Sequence, residues 1–280
     1  MNPMRCGAAI LAIALFGNAV AAPQRIVSIN ICGDLLALSL APRAHIASIT
    51  FLAADEVMSP IAELAEGVPR NYGMAEEVLA LDPDLVLAGR YTARATVNLL
   101  KRLGYTVLEF DIAESMDDAR AQIRVAAAAM GVIEAGENMI AKLDARIQAA
   151  RPRPGQERPL AVVYGPNGFT LGPRSLSGSL IEIAGFENLA ARAGILRVGQ
   201  LPLEHLLLAR PDVLLVESES LHAPAMATLV LSHPALRDLR HRITVAEIPR
   251  PLWSCPGPWL ADALDHLAAA RTSVRKRSTP

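Results

Sequence analysis

The sequence predicts an α/β protein of two Rossmann-like lobes, each with a mainly parallel sheet, joined by one long α-helix. Three observations predict it. Strand-like and helix-like segments alternate along most of the 280 residues, a proline-rich break interrupts the alternation once, and one helix–turn–strand pattern occurs twice. Such alternation favours parallel sheets covered by helices, because parallel neighbours need a crossover of a dozen or more residues between them.

The elements follow in order. Arg5, the apolar run Ala8 to Phe16 and Ala19-Val20-Ala21 read as a secretory signal, residues 1–21, cut after Ala21. The run falls short of the ~20 residues that a bilayer-spanning helix needs. Cys6 precedes the run rather than following it, which disfavours a lipid anchor. Gln24 to Ile31 alternates apolar and polar residues as a strand does. Asp34 then leads an apolar helical stretch, Leu35 to Leu40, stopped by Pro42, and Ala44 to Thr50 reads as a second strand. Leu85 to Ala88, Thr92 to Leu103 and Tyr105 to Phe110 continue as strand, helix and strand.

Ser115 is a good N-cap for a helix running to Met130, with Asp117 and Asp118 where the helix dipole favours negative charge. Glu134 to Ala150 carries Met139, Ile140, Leu143 and Ile147 at helical spacing. At ~1.5 Å per residue this helix is roughly 25 Å long, enough to bridge two lobes. Three prolines and a glycine between Arg151 and Pro159 forbid regular structure, and a strand restarts at Leu160 to Tyr164. The chain therefore divides into a first lobe (22–113), a helical segment (114–159), a second lobe (160–270) and a basic, solvated tail (271–280).

The repeat is "EEVLALDPDLVL" from Glu76 to Leu87 and "EHLLLARPDVLL" from Glu204 to Leu215. In both copies the glutamate stands seven residues before the proline of a Pro-Asp pair, and a buried strand follows. Two such units, one in each half, predict two equivalent lobes.

Composition narrows the function. The chain is 52% hydrophobic with a net charge of −1, and losing Arg5 with the signal makes it −2. No basic stripe suits nucleic acid. No G-x-S-x-G, G-x-G-x-x-G, phosphate loop or H-E-x-x-H occurs, and the six histidines are scattered, so no catalytic or metal constellation is legible. Cys32 and Cys255 are the two cysteines left after the signal. Separate burial or a disulfide ranks above a shared soft metal, and the sequence leaves these open.

Open α/β sheets bind ligands beyond the carboxyl ends of their strands. That rule selects Asn30, Cys32, Phe51, Arg90 and Tyr91 in the first lobe. In the second it selects Tyr164, Asn167, Phe169, His222, Arg250 and Trp253. The aromatic residues suit a flat ligand, the two arginines suit carboxylates, and Tyr91 or His222 suits a haem iron.

Several segments carry a resemblance: "RIVSIN", "EEVLALDPDLVLAG" and "LKRLGYTVLEFD" in the first half, then "VVYGPNGFTLGPRSLSGSLIEIAGFENLA", "PLEHLLLARPDVLLV", "HPALRDL" and "LWSCPGPWLADALDHLA". In this order, over nearly all of residues 24–270, the chain resembles the cobalamin and ferric-siderophore type of periplasmic substrate-binding protein of ABC importers, the class III, helical-backbone family. The resemblance implies a cobalamin, ferric siderophore or haem held between the lobes, with no covalent cofactor. It implies delivery to an ABC permease dimer in the inner membrane, with Glu76 and Glu204 docking into arginine pockets. A monomer is expected. A periplasmic sensor or scaffold with the same fold stands as the alternative, and an enzyme using the cleft ranks behind it.

Overall fold

The structure, a computed structural model, describes residues 21–218, 226–240 and 242–274. The predicted signal up to residue 20, His222 and the tail from residue 275 lie outside the described residues.

The first sheet contains β1 (Ile26–Ser28), β2 (Ile46–Thr50), β3 (Arg70–Asn71), β4 (Leu85–Gly89) and β5 (Val107–Phe110). Its order is β3-β2-β1-β4-β5 and every pairing is parallel. Helices α1 (Ile31–Leu40), α2 (Ala75–Leu79) and α3 (Arg94–Arg102) supply crossovers. Two helices then pack together, α4 (Met116–Ala129) and α5 (Ile133–Ala150), the second of 18 residues. Ser115 caps α4 by accepting from the Asp118 N–H. Arg120 pairs with Asp144 and Arg124 with Glu137 across the two helices.

The second sheet contains β6 (Leu160–Val163), β8 (Glu187–Asn188), β10 (Val213–Glu217) and β11 (Thr244–Ile248), all parallel, in the order β11-β10-β6-β8. A separate antiparallel ribbon joins β7 (Phe169–Leu171) to β9 (Val198–Gln200). The helices are α6 (Leu176–Ile183), α7 (Leu189–Arg192), α8 (Leu203–Ala209), α9 (Pro234–Arg240), α10 (Pro251–Ser254) and α11 (Leu260–Thr272).

Residues two apart along a strand share a face. Leu85 and Leu87 join a core that also takes Val213, Leu215 and parts of α4, α5 and α11. Val86 and Ala88 face a separate core on the other side of the first sheet, and Leu214 and Val216 do so in the second. Each sheet is thus covered on both faces, as the near-continuous apolar strands require. The inner core is common to both lobes.

The repeat has a structural meaning. In each copy a left-handed residue, Asp82 (φ 45°) or Arg210 (φ 47°), follows a short helix and stands directly before a buried proline. The aspartate that follows accepts a backbone N–H at the start of the central strand: Asp84 from Arg25 at 2.9 Å, Asp212 from Leu160 at 2.8 Å. The strand after it then pairs with that same strand, β4 with β1 and β10 with β6.

The first strand is shorter than the sequence reading, Ile26–Ser28 rather than Gln24 to Ile31, and the helix after it starts earlier. Helix α1 begins at Ile31, ahead of Asp34, because the Asn30 side-chain oxygen accepts the N–H groups of Cys32 (3.1 Å) and Gly33 (3.3 Å). Cys32 therefore sits in the first turn of a helix rather than in a loop.

Candidate functional site

In each sheet the connections leave to opposite sides at one point, between β1 and β4 and between β6 and β10. Such switch points open crevices at the carboxyl ends of the strands. At the first one, Asn30 reaches Thr92 across the gap, its amide 3.4 Å from the hydroxyl. Gly89 permits this approach: a Cβ there would lie 2.5 Å from the Asn30 amide nitrogen and 2.6 Å from the Thr92 hydroxyl. Tyr91 stands on the same loop, 67% exposed.

Two strands further along the edge, Phe51 and Tyr72 stack with ring centroids 4.9 Å apart, and 43% and 66% of their surfaces are exposed. The first lobe therefore presents three exposed aromatic rings along the carboxyl edge of its sheet. Arg90 forms an ion pair with Asp111. The Ile112 N–H and that guanidinium hold the Asp111 carboxyl below its usual range, while the same pair raises Arg90.

At the second switch point the loop after β6 exposes Asn167 in the left-handed region (φ 54°), and Phe169 is half-buried against the shared core. Arg250 donates to Glu217 at 3.0 Å, joining the ends of β10 and β11. Glu114, at the start of the helical connection, pairs with both Arg174 and Arg197 of the second half. A cavity of about 530 Å³ lies there, lined by Tyr91, Asp111, Ile112, Glu114, Gln122 and Arg197. Another, of about 540 Å³, is lined by Ala54, Pro60 and Arg70 from one half and Pro249, Pro251 and Leu252 from the other. Both fall within the size range of small-molecule sites.

The two halves are also joined covalently. Cys32 and Cys255 form a disulfide with Cα atoms 5.2 Å apart and a sequence separation of 223. The Cys32 sulfur is therefore occupied and is not a free ligand-binding group. Among the described residues no group of three or more His, Cys, Asp or Glu is placed to hold a metal ion.

Two predicted contacts are not on the surface. Tyr164 and Trp253 are each 1% exposed. Tyr164 continues the apolar face of β6, and its ring packs in the outer core of the second sheet. Burial first, and the Glu204 carboxylate second, push its hydroxyl above the usual phenol range. Trp253 falls in the short helix α10, which turns the indole into the shared core. Asn30 is half-buried, with its side-chain oxygen engaged as a helix cap. His222 lies outside the described residues.

Sequence reasoning did not select Tyr72 or Thr92, which the structure places at the same edge. Strand β3 has only two residues, too few for a periodic signal, and the Tyr-Gly pair after Asn71 was the one available hint.

Two parallel sheets, their carboxyl edges carrying exposed loops and joined through a helical connection, define the two-lobed class of substrate-binding folds. The chain belongs to the periplasmic binding protein family, whose model matches residues 39–240. It is 28% identical over 216 residues to a cobalamin-binding protein of Halobacterium salinarum, covering 75% of this chain and 58% of the relative. The chain thus spans a little over half the length of that curated relative.

Among solved structures it resembles the periplasmic heme-binding protein RhuT from Roseiflexus in apo form. That likeness has a TM-score of 0.74 and 26% identity, over 88% of this chain and 98% of the other. It also resembles the heme-binding protein BhuT in complex with two hemes, with TM-score 0.66 and 26% identity over 89% and 99% of the chains. The vitamin B12 binding protein BtuF of Vibrio cholerae shares the fold alone, at 16% identity and TM-score 0.68 over 91% and 99%. No helix among the described residues is long and apolar enough to cross a membrane.

Proposed function

We propose that this chain is the solute-binding component of an ABC importer, carrying a small-molecule metal chelate between its lobes to an inner-membrane permease dimer. Residues 1–21 are its export signal, cleaved in the periplasm, and the mature protein works as a monomer. The cargo is a haem, a cobalamin or a ferric siderophore. Phe51, Tyr72 and Tyr91 meet it from the first lobe, and Asn167, Phe169 and Arg250 face it from the second. Aromatic faces suit the haem and corrin members of this set, because they cover a conjugated ring with little loss of side-chain freedom.

One observation carries the transport role: Glu76 and Glu204 are both exposed, each in the first turn of an equivalent helix before an equivalent Pro-Asp turn. The repeat uses the proline and aspartate in its turn, and the glutamates, which favour their helix N-termini, stay exposed in both copies. Paired exposed carboxylates suit docking, where charge sets orientation and encounter rate more than affinity.

The test is ligand-induced stabilisation of the purified protein, since a ligand that binds the folded state raises the melting temperature by mass action. Haemin, cyanocobalamin and a ferric hydroxamate are each titrated, alongside native mass spectrometry of protein taken from its own periplasm. Stabilisation by one of the three, or its mass retained on the protein, is the expected outcome. No shift with any of them and a bare native mass would defeat the ligand assignment.

A further inference from the structure

Two buried polar side chains lie directly behind the stacked aromatic pair. Thr50 and Asn71 are partners in the pairing of β2 with β3. The next residue on each strand, Phe51 and Tyr72, therefore leaves at the same level of two adjacent strands, which is why their rings meet. What fixes Thr50 is Asp34, 0% exposed, which accepts the Thr50 N–H at 3.1 Å and the Thr50 hydroxyl.

Asn71, also buried, fixes the other strand. Its amide donates to the Ser28 carbonyl (3.0 Å) and the Ser48 hydroxyl (2.8 Å), and its oxygen accepts the Gly73 N–H at 3.0 Å. Glu77 completes the arrangement from α2 by accepting the Tyr72 N–H at 2.8 Å and the Met74 N–H at 3.1 Å.

Burying a carboxylate is costly unless its partners compensate. Here they do so incompletely, since burial holds Asp34 at about 7 despite bonds from Thr50 and Ser28. The neighbouring positions Leu35, Leu36 and Ala37 show that this helix packs on the sheet with apolar side chains. A carboxylate at position 34 therefore serves something other than packing.

We propose that Asp34 and Asn71 are positioning residues of the ligand site, holding Phe51 and Tyr72 as one preorganised aromatic face. Preorganisation raises affinity because the ordering cost is met before the ligand arrives. The proposal rests on the reading that this edge takes the ligand, and the experiment separates the two.

Two readouts are made on each of Asp34→Ala, Asp34→Asn and Thr50→Val. The first needs no ligand: the ring-to-ring nuclear Overhauser effect between Phe51 and Tyr72. It is expected to persist in Asp34→Asn, whose amide keeps an acceptor for the Thr50 N–H, and to weaken in Asp34→Ala and Thr50→Val. The second is affinity for haemin by its visible absorbance and for cyanocobalamin by calorimetry, measured with and without Phe51→Ala and Tyr72→Ala.

The expected result is a loss of about tenfold in affinity for Asp34→Ala that largely disappears when Phe51 and Tyr72 are already alanine. A general loss of stability would not give that pattern, because independent losses multiply. An unchanged ring contact in Asp34→Ala and Thr50→Val overturns the proposal. So do affinity losses that simply multiply, and both results leave the ligand reading intact. If Phe51→Ala and Tyr72→Ala bind both probes like the wild type, the ligand reading falls and the proposal with it. Should Asp34→Ala fail to fold, Thr50→Val, which removes one hydroxyl, decides the question.

Discussion

Asp84 and Asp212 do the same work in opposite halves of the molecule. Each follows a proline, and each carboxylate receives a backbone N–H from the start of its lobe's central strand, Arg25 for Asp84 and Leu160 for Asp212. Asp84 takes the Gln24 N–H as well, at 2.7 Å. Replacing either aspartate by alanine removes a charge-assisted bond to the main chain, the same kind of loss as removing a helix cap. Each single variant is expected to lose roughly 1 kcal/mol of unfolding free energy. Denaturant titration of the two single variants and the double checks this, the double being the sum because the sites are far apart.

Asp34 predicts an unusual pH dependence. Burial raises its carboxyl from 3.8 to about 7 in the folded protein. Between those values the folded state holds a proton that the unfolded state releases, so stability falls as pH rises through that window and levels off above it. The slope is at most roughly 1.4 kcal/mol per pH unit. Asp84, Glu109, Asp111 and Glu187 are all shifted downward, so their contributions are lost at still lower pH and do not mask the effect. Unfolding at pH 5 should therefore need more denaturant than at pH 7.5. Asp34→Asn, which cannot ionise, should show a much smaller difference between the two.

What the sequence made legible was whatever repeats or alternates. The strand–helix order, the cap at Ser115, the break at Arg151 to Pro159 and the paired Pro-Asp units all depend on local chemistry that a few residues specify. The site is another matter. Tyr164 stands at a strand end as the sequence suggests, whereas Trp253 falls in a short helix beyond β11, and whether either ring turns outward or inward depends on the neighbouring layer. Tyr72 belongs to a two-residue strand whose place is set by its partner β2 rather than by its own pattern. The Cys32–Cys255 pairing spans 223 residues, and no local rule reaches that far.

That disulfide yields a second test of stability. Closing so long a loop removes much of the freedom of the unfolded chain, worth roughly 5 kcal/mol at most on the chain-entropy account, with engineered cases usually lower. A Cys32→Ser/Cys255→Ser double variant should unfold at distinctly lower denaturant than the wild type. Wild-type protein unfolded in the presence of a strong reductant should follow the variant's curve. Coincident curves for oxidised wild type and variant would show that the bond contributes nothing to stability.

Tyr164 offers a sharper contrast between core and site. Its hydroxyl is buried and finds no hydrogen-bond partner among the described residues. An unpaired buried polar group costs about 1–3 kcal/mol, so Tyr164→Phe should leave the protein as stable as before or more so. Ligand affinity should not move, because the ring belongs to the outer core of the second lobe. A variant less stable than the wild type would mean that the hydroxyl has a partner. A variant with weakened haemin or cobalamin binding would put the ring back in the site.

The two acidic residues of α2 separate docking from folding. Glu77 accepts two main-chain N–H groups around Tyr72, whereas its neighbour Glu76 is exposed, as is Glu204 in α8. The position matching Glu77 in the second copy is His205, so the repeat shares the outward carboxylate and not the inward one. Glu76→Lys with Glu204→Lys should therefore leave the melting temperature and ligand affinity close to wild type while abolishing ligand uptake into cells that depend on this protein. Either reversal alone should weaken uptake without removing it, because one of the two proposed docking carboxylates remains. Glu77→Ala is the control with the opposite pattern: it disturbs the aromatic edge, lowering affinity first and uptake only through it. Undiminished uptake by the double reversal would mean that the permease recognises some other part of the surface.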